Sequence, residues 1–448
     1  MICLLFNSAA AVEFNFIVAP GTSQQAIDGF EAAGERWSAF LADDITVNIA
    51  IAFGDIPSST GATILGSTGS SIFIPPPDTT VVPDFLKLKA ALTDDSRSVN
   101  DFVAVENLPD GTNSLTAFTN SRDGSISLDA DNSGNNTFFR INNANAKAIG
   151  LLDPDAPGED ASISFNSSVN FDFDPSNGIT PGATDFVGVA THEIGHALGF
   201  TSGVDLVDVF TGDGPSAAVD LNGTAAGNGT LEPFALFTAL DLFRRSDDSL
   251  AAGADVFDLS TNPGAFLSID GQSSGLLLES GSFNGTGQQA SHFLDNMGLG
   301  IFDPTAAAGE LLEISTNDLL ALDVIGFDVI PFGESNGFHN PLTPTDVNAD
   351  DVVSPLDAIL VINELNSRDL SDDSGSIDLD SGNATFLDVN NDLFASPIDA
   401  LLVINALSQP DAALSATAGV GTVPESVPPL QLWVLIAAFA ARIRISRD

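Results

Sequence analysis

Positive charge is scarce in this chain. Its 448 residues carry 13 Lys and Arg against 61 Asp and Glu, a formal net charge of -48. That balance excludes a nucleic-acid partner held by phosphate neutralisation. It fits a solvated secreted surface, a saline habitat, or a chain with many calcium carboxylates. Lysine occurs only as Lys87, Lys89 and Lys147. The only cysteine is Cys3, so there is no disulfide framework, and stability has to come from packing and metal ions. No Gly-rich phosphate loop of recognised spacing is present, and no G-x-S-x-G element sits with a spare His and Asp, which excludes a serine triad. Histidine occurs four times, and two of the four stand four residues apart.

Those two lie in Thr191-His192-Glu193-Ile194-Gly195-His196-Ala197-Leu198-Gly199-Phe200, an H-E-x-x-H pattern. On a helix the spacing stacks both imidazoles on one face. Thr184 or Asp185 offers an N-cap, and Gly199 stands where a helix stops. Zinc takes imidazole nitrogen readily, and a catalytic zinc takes three protein ligands. Glu193 then stands in the place of a general base.

Apolar residues make up 44 % of the chain, enough for a large core. Helices are expected over Gln24 to Leu41, Phe85 to Leu92, Ser98 to Val105, Asn142 to Leu151 and Ser315 to Ile325. Ile45 to Phe53 alternates as a strand does. Ser125 to Leu128 and Ala161 to Phe165 read as shorter strands. The segment between the motif helix and Ser315 is a long insertion rich in Gly, Asn and Asp. Asp172, Asp174 and Asn177 form an Asx-rich turn with the composition of a calcium site.

A boundary is expected over 331–344. Beyond it the chain repeats itself: Asp346 to Asn363 reappears as Asp388 to Asn405. Oxygen ligands fall at loop positions one, three, five, nine and twelve, with a backbone carbonyl at seven. For the first calcium ion these are Asp346, Asn348, Asp350, Ser354 and Asp357, with Val352. For the second they are Asp388, Asn390, Asp392, Ser396 and Asp399, with Phe394. Position six, usually Gly, is Asp351 or Leu393. The loops and the Ala-x-Leu-Val-Ile-Asn helices after them resemble a dockerin type I domain over Pro341 to Gln409. That resemblance implies paired calcium loops and a cohesin-like protein partner.

Both ends carry signals of their own. Met1 to Ala11 reads as the end of a signal peptide without its basic region. Val423-Pro424-Glu425-Ser426, the apolar run Leu430 to Ala441, and Arg442, Arg444 and Arg447 resemble a bacterial PEP-CTERM sorting tail. The apolar run is short for a membrane span, while its basic end fits retention inside.

The third zinc ligand is not in the motif. Ser202 stands where metzincin peptidases place a third histidine. Asp205, just beyond the turn, and His292, in Ser291-His292-Phe293, are the candidates, and His339 reads as a linker residue. Thr191 to Phe200 and Ala290 to Pro304 resemble the leishmanolysin branch of metzincins, which implies His292 as ligand. They also resemble secreted bacterial metalloproteases with PEP-CTERM or dockerin-like tails. Phe302 falls where the family's Met-turn methionine is expected, and Met297 follows His292 too closely for that role.

The expected fold is α+β: a zincin-like domain with a twisted sheet and an active-site helix, plus a small helical calcium module. The expected division is 1–11 signal remnant, 12–330 peptidase, 331–344 linker, 345–410 dockerin-like module and 411–448 linker and tail. The expected function is a secreted or cell-surface zinc endopeptidase acting on protein or peptide substrates. The alternative is a non-catalytic surface protein that works through its calcium module.

Overall fold

A computed structural model describes residues 11–56, 64–73, 84–218, 231–232, 234–272, 275–330, 338, 345–348, 353–368, 370–371, 375, 377, 385–389, 395–408 and 421–422. The chain forms two compact units, one of Met1–Val329 with Gly419–Asp448 and one of Ile330–Ala418.

The first unit begins β1 (Glu13–Val18), α1 (Gln24–Ser38), β2 (Thr46–Gly54), β3 (Gly66–Ser70), α2 (Phe85–Asp95) and α3 (Val99–Glu106). It continues with β4 (Thr116–Asn120), β5 (Ile126–Asp129), α4 (Gly134–Thr137), α5 (Asn143–Ala148) and β6 (Ala161–Asn166). Then come β7 (Phe171–Asp172), β8 (Thr184–Asp185), the motif helix α6 (Phe186–Leu198) and α7 (Val204–Phe210). The insertion adds β9 (Arg244–Arg245), α8 (Asp247–Ala252), β10 (Val256–Asp258), β11 (Phe266–Leu267), β12 (Leu276–Leu277) and β13 (Thr305–Ala306), before α9 (Thr316–Val324).

The main sheet has the order β1-β2-β6-β3. β1, β2 and β6 run parallel, and β3 is antiparallel to β6 with Thr68 opposite Ile163. In β2 the alternation expected from sequence buries Val47, Ile49 and Ile51. A phenylalanine core joins this sheet to the helices. Phe165 of β6 stands 5.0 Å from Phe30 of α1 and 4.8 Å from Phe186 of α6, centroid to centroid. Edge-to-face and tilted aromatic pairs of this kind add to simple burial. Trp37 Nε1 donates to the Thr191 carbonyl at 2.8 Å and ties α1 to α6. Lys147, one of the three lysines, is buried against Asp160 at 2.6 Å and also donates to the Thr46 carbonyl.

The expected helices are present, α1 ending at Ser38 and α5 shortened to Asn143–Ala148. β1, β3 and β4 were not expected, and neither were the helices of the insertion. β3 reads Gly-Ser-Thr-Gly-Ser and has neither alternation nor β-branched apolar residues. A short strand β14 (Gly421–Thr422), within the expected linker and tail, pairs antiparallel with β13 of the first unit. The sorting tail beyond it and the signal-like Met1 to Ala10 lie outside the described residues, as does His339. Among the described residues no helix is long and apolar enough to cross a membrane.

Several carboxylates are buried together near the end of this unit. Burial raises Asp43 to about 8, with Asp328 and Asp95 adding repulsion. Burial likewise raises Asp95 to about 7, and Asp323 to about 6 with help from Asp101. These folded-state values lie above the ordinary carboxylate value of 3.8. The folded chain therefore holds protons that the unfolded chain has released, and stability falls as pH rises through the folded values. The unfolding midpoint of this unit should decline from about pH 4 to about pH 8, the interval between the unfolded and folded values, and level off above it. Asp43→Asn should flatten the decline and raise the midpoint at the alkaline end by a few degrees, since each displaced unit is about 1.4 kcal/mol. Thermal scans across that range check this, and a variant with the original slope would refute it.

Candidate metal centre

The motif helix is set before its chemistry is. The Asp185 carboxylate caps α6 by accepting from Gly188 N at 2.9 Å. Gly199 ends it at φ +136°, and Phe200 N returns to the Gly195 carbonyl at 3.2 Å. All 13 residues of α6 are buried. Its polar residues therefore face the interior, and each needs a partner there.

His192, His196 and His292 come together, with one nitrogen from each lying within 4.8 Å of the other two. The Nε2 atom of His192 is 2.9 Å from that of His196 and 3.3 Å from that of His292. The opposite ring nitrogens all face backbone carbonyls. His192 Nδ1 meets Ile301 O at 2.6 Å, His196 Nδ1 meets Phe200 O at 2.7 Å, and His292 Nδ1 meets Gln289 O at 3.1 Å. A carbonyl only accepts, so each Nδ1 carries the hydrogen and each Nε2 presents a lone pair. Burial holds the rings neutral: it lowers His192 to about 4, His292 to about 3, and His196 well below its ordinary value. Three lone pairs converge, and a bound cation would relieve their repulsion. Three neutral imidazoles with carbonyl-fixed tautomers are a donor set that fits zinc.

Asp205, the alternative third ligand, is not part of this convergence. Its carboxylate accepts from Ala290 N at 2.6 Å, from Ser291 N at 3.2 Å and from the Ser291 hydroxyl. It braces the segment that delivers His292. Nearness in sequence suggested a ligand, but α7 turns Asp205 toward the end of the insertion. Ser202 does not point to the histidines either; its hydroxyl donates to Asp241 at 2.6 Å.

Phe302 lies beneath the histidines, with its centroid 5.6 Å from the His196 ring and 6.2 Å from the His192 ring, and stacks on Phe200 at 3.7 Å. Gly195 permits this, since a Cβ there would stand 2.4 Å from the Phe302 ring. Met297 is exposed. Asp318, inside the capping box of α9, accepts from Ile301 N at 2.9 Å and Phe302 N at 3.2 Å. It thus fixes the carbonyl that orients His192. The helix from Ser315 was expected, but this duty of Asp318 had no sequence signal.

Glu193 is fully buried. Its Oε2 accepts from the Thr68 hydroxyl at 2.6 Å, and its Oε1 has no hydrogen-bond partner among the described residues. Burial raises it to about 8, opposed by the Thr68 bond. Asn142 Nδ2 and the Ser70 hydroxyl both reach the His196 carbonyl, at 3.1 and 3.2 Å. Thr68, Ser70 and Asn142 carry no sequence signal of these contacts. The Asp172–Asn177 turn uses its carboxylates internally: Asp172 accepts from Thr180, and Asp174 from Ser176 and Asn177.

The second unit contains α10 (Pro355–Ser367) and α11 (Pro397–Ser408), which pack on one another. Its core includes Val347, Ala358, Val361, Val389, Ala400 and Val403. Asp357 accepts from Val347 N, Asn348 N and Ser354 N at 2.8, 3.2 and 2.8 Å, so it bridges the first loop. Asp399 repeats the arrangement with Val389 N and Ser396 N, both at 2.8 Å. Asp346 and Asp388 are buried. The expected ligands Asp350, Val352, Asn390, Asp392 and Phe394 lie outside the described residues. On the outer faces, Leu356, Ile359 and Ile362 of α10 and Leu401, Ile404 and Leu407 of α11 are exposed.

Residues 344–408 match the family model of the dockerin type I domain. No curated protein and no solved structure matches the chain. The C-terminal module is thus a dockerin domain, a calcium-binding module.

Two measurements bear on these sites. His292→Ala should lower zinc affinity more than about 100-fold, and Asp205→Asn about 10-fold, the scale of an outer-shell brace. Competition with a chelating dye checks this, and the reverse ranking would return the ligand role to Asp205. In calcium titrations followed by calorimetry, Asp357→Asn and Asp399→Asn should each remove one equivalent. Unchanged stoichiometry in both would end the paired-loop assignment.

Proposed function

We propose that the chain is a zinc-dependent endopeptidase carried on a dockerin module. The convergence of three Nε2 lone pairs, with a buried glutamate next in sequence to His192, carries this reading. His192, His196 and His292 would hold zinc, which would supply Lewis acidity toward a water and a substrate carbonyl. Glu193 takes a proton from the attacking water at Oε1, which has no hydrogen-bond partner among the described residues, and returns it to the leaving amine. A carboxyl displaced to about 8 is suited to move a proton in both directions near neutrality. The buried surroundings exclude competing water and strengthen charge stabilisation. His196 and His192 are held by backbone partners and do not have to reorganise during the reaction.

The dockerin module supplies attachment. Dockerin domains bind cohesin partners, and proteins that contain them are typically extracellular or at the cell surface. The exposed apolar positions of α10 and α11 recur in register, Ile359 with Leu401 and Ile362 with Ile404. They offer a docking face for a cohesin-like protein. The strongly acidic composition fits an extracytoplasmic setting.

Glu193→Gln should retain zinc and lose peptide hydrolysis by about 100- to 10,000-fold. Cleavage of a casein or mixed-peptide substrate, with zinc content measured in parallel, reads this. A wild-type protein that binds stoichiometric zinc, cleaves nothing and is unaffected by Glu193→Gln would leave the non-catalytic surface role.

A further inference from the structure

β3 is the strand of the main sheet that lies beside the motif helix, and its composition suits a strand poorly. Gly66 and Thr68 stand two residues apart, so both address one face. That face meets Glu193. The Thr68 hydroxyl is buried and lies 2.6 Å from Glu193 Oε2 and 3.0 Å from the Glu193 carbonyl. It has one hydrogen to give, and the carboxylate is the stronger acceptor. A Cβ on Gly66 would come 2.9 Å from Glu193 Oε1 and 2.7 Å from the Phe165 ring. Phe165 is packed against Phe30 and Phe186 and has no room to retreat.

We propose that Gly66 and Thr68 form a seat for the Glu193 carboxylate. Thr68 fixes one oxygen, and Gly66 leaves space for the other to face the reaction. This rests on the endopeptidase reading and adds two positioning residues to it. It also explains the small residues of β3: what the strand needs at these positions is room and one hydroxyl, not β propensity. A general base displaced by a fraction of its reach loses much of its effect, because proton transfer depends on alignment. Thr68 touches no reacting atom, so its contribution passes through the orientation of Glu193.

Steady-state kinetics on the full-length zinc-loaded protein test the seat. Thr68→Val, which keeps the shape and removes the hydroxyl, should lower kcat about 10- to 100-fold, with KM within about twofold and zinc content unchanged. Thr68→Ser, which restores the hydroxyl, should recover most of kcat. Gly66→Ala should lower kcat to a similar extent although Thr68 is intact. If Thr68→Val does not fold, Thr68→Ala and Gly66→Ala carry the test under the same criteria. Wild-type kcat in Thr68→Val, a loss of kcat matched by loss of zinc, or a serine variant as impaired as the valine variant would overturn the seat. Glu193→Gln in the same assay separates the two failures. An inactive Glu193→Gln beside a normal Thr68→Val sinks the seat alone, whereas a wild type no better than Glu193→Gln sinks the endopeptidase reading with it.

Discussion

Three imidazole Nδ1 hydrogens bonded to three backbone carbonyls fix the candidate metal centre. They settle each tautomer and aim each Nε2 lone pair at the same point. The carbonyls belong to Phe200, Ile301 and Gln289, which lie on three separate segments. The geometry of the centre is therefore only as good as the backbone at those places. Each is braced. The turn after α6 is set by Gly199, the Ile301 segment by Asp318, and the end of the insertion by Asp205. In a chain without disulfides, buried aspartates accepting backbone N–H groups do much of the work of holding loops to one another. Asp357 and Asp399 hold the dockerin loops by the same means.

The legible parts of the sequence were those whose chemistry repeats within a short span. His192 and His196 are one helical turn apart, and the cap at Asp185 is local, so the motif helix and two candidate ligands could be read directly. The repeat from Asp346 and Asp388 was legible because each loop is written twice. His292 is about a hundred residues from the motif, and no periodicity links the two; only its likeness to a family element pointed to it. Thr68 was illegible for another reason. Its role depends on strand pairing between β3 and β6, and β3 lacks the alternating pattern that announces a strand. Asp205, the alternative third ligand, is close to the motif along the chain but not to its imidazole nitrogens. The short helix α7 turns it toward residues 290–291 instead.

The two units use carboxylates in opposite ways. In the dockerin module the acids stand at alternate loop positions and carry two requirements at once, metal oxygens and loop braces. Asp357 illustrates this, since one side chain closes the loop and caps α10. In the first unit the braces are separated from the candidate metal ligands, which are all imidazoles. Such a division would follow ion hardness. Calcium takes oxygen from flexible acidic loops, whereas zinc takes nitrogen from rings held by packing.

The burial of α6 bears most directly on function. A helix with two histidines, a glutamate and a threonine, and no exposed residue, is costly unless its polar atoms find partners. The fold supplies them nearly everywhere: Thr191 donates to Val187 O, each histidine Nδ1 has its carbonyl, and Glu193 Oε2 has Thr68. Among the described residues Glu193 Oε1 has no hydrogen-bond partner, and the three Nε2 atoms meet one another. A core built only for stability would favour apolar residues at these positions, since a partly satisfied polar cluster is worse than none. These atoms are the ones that zinc and a proton-carrying water would use. The pattern of what is compensated and what is not therefore argues for chemistry at this site more strongly than the motif does alone.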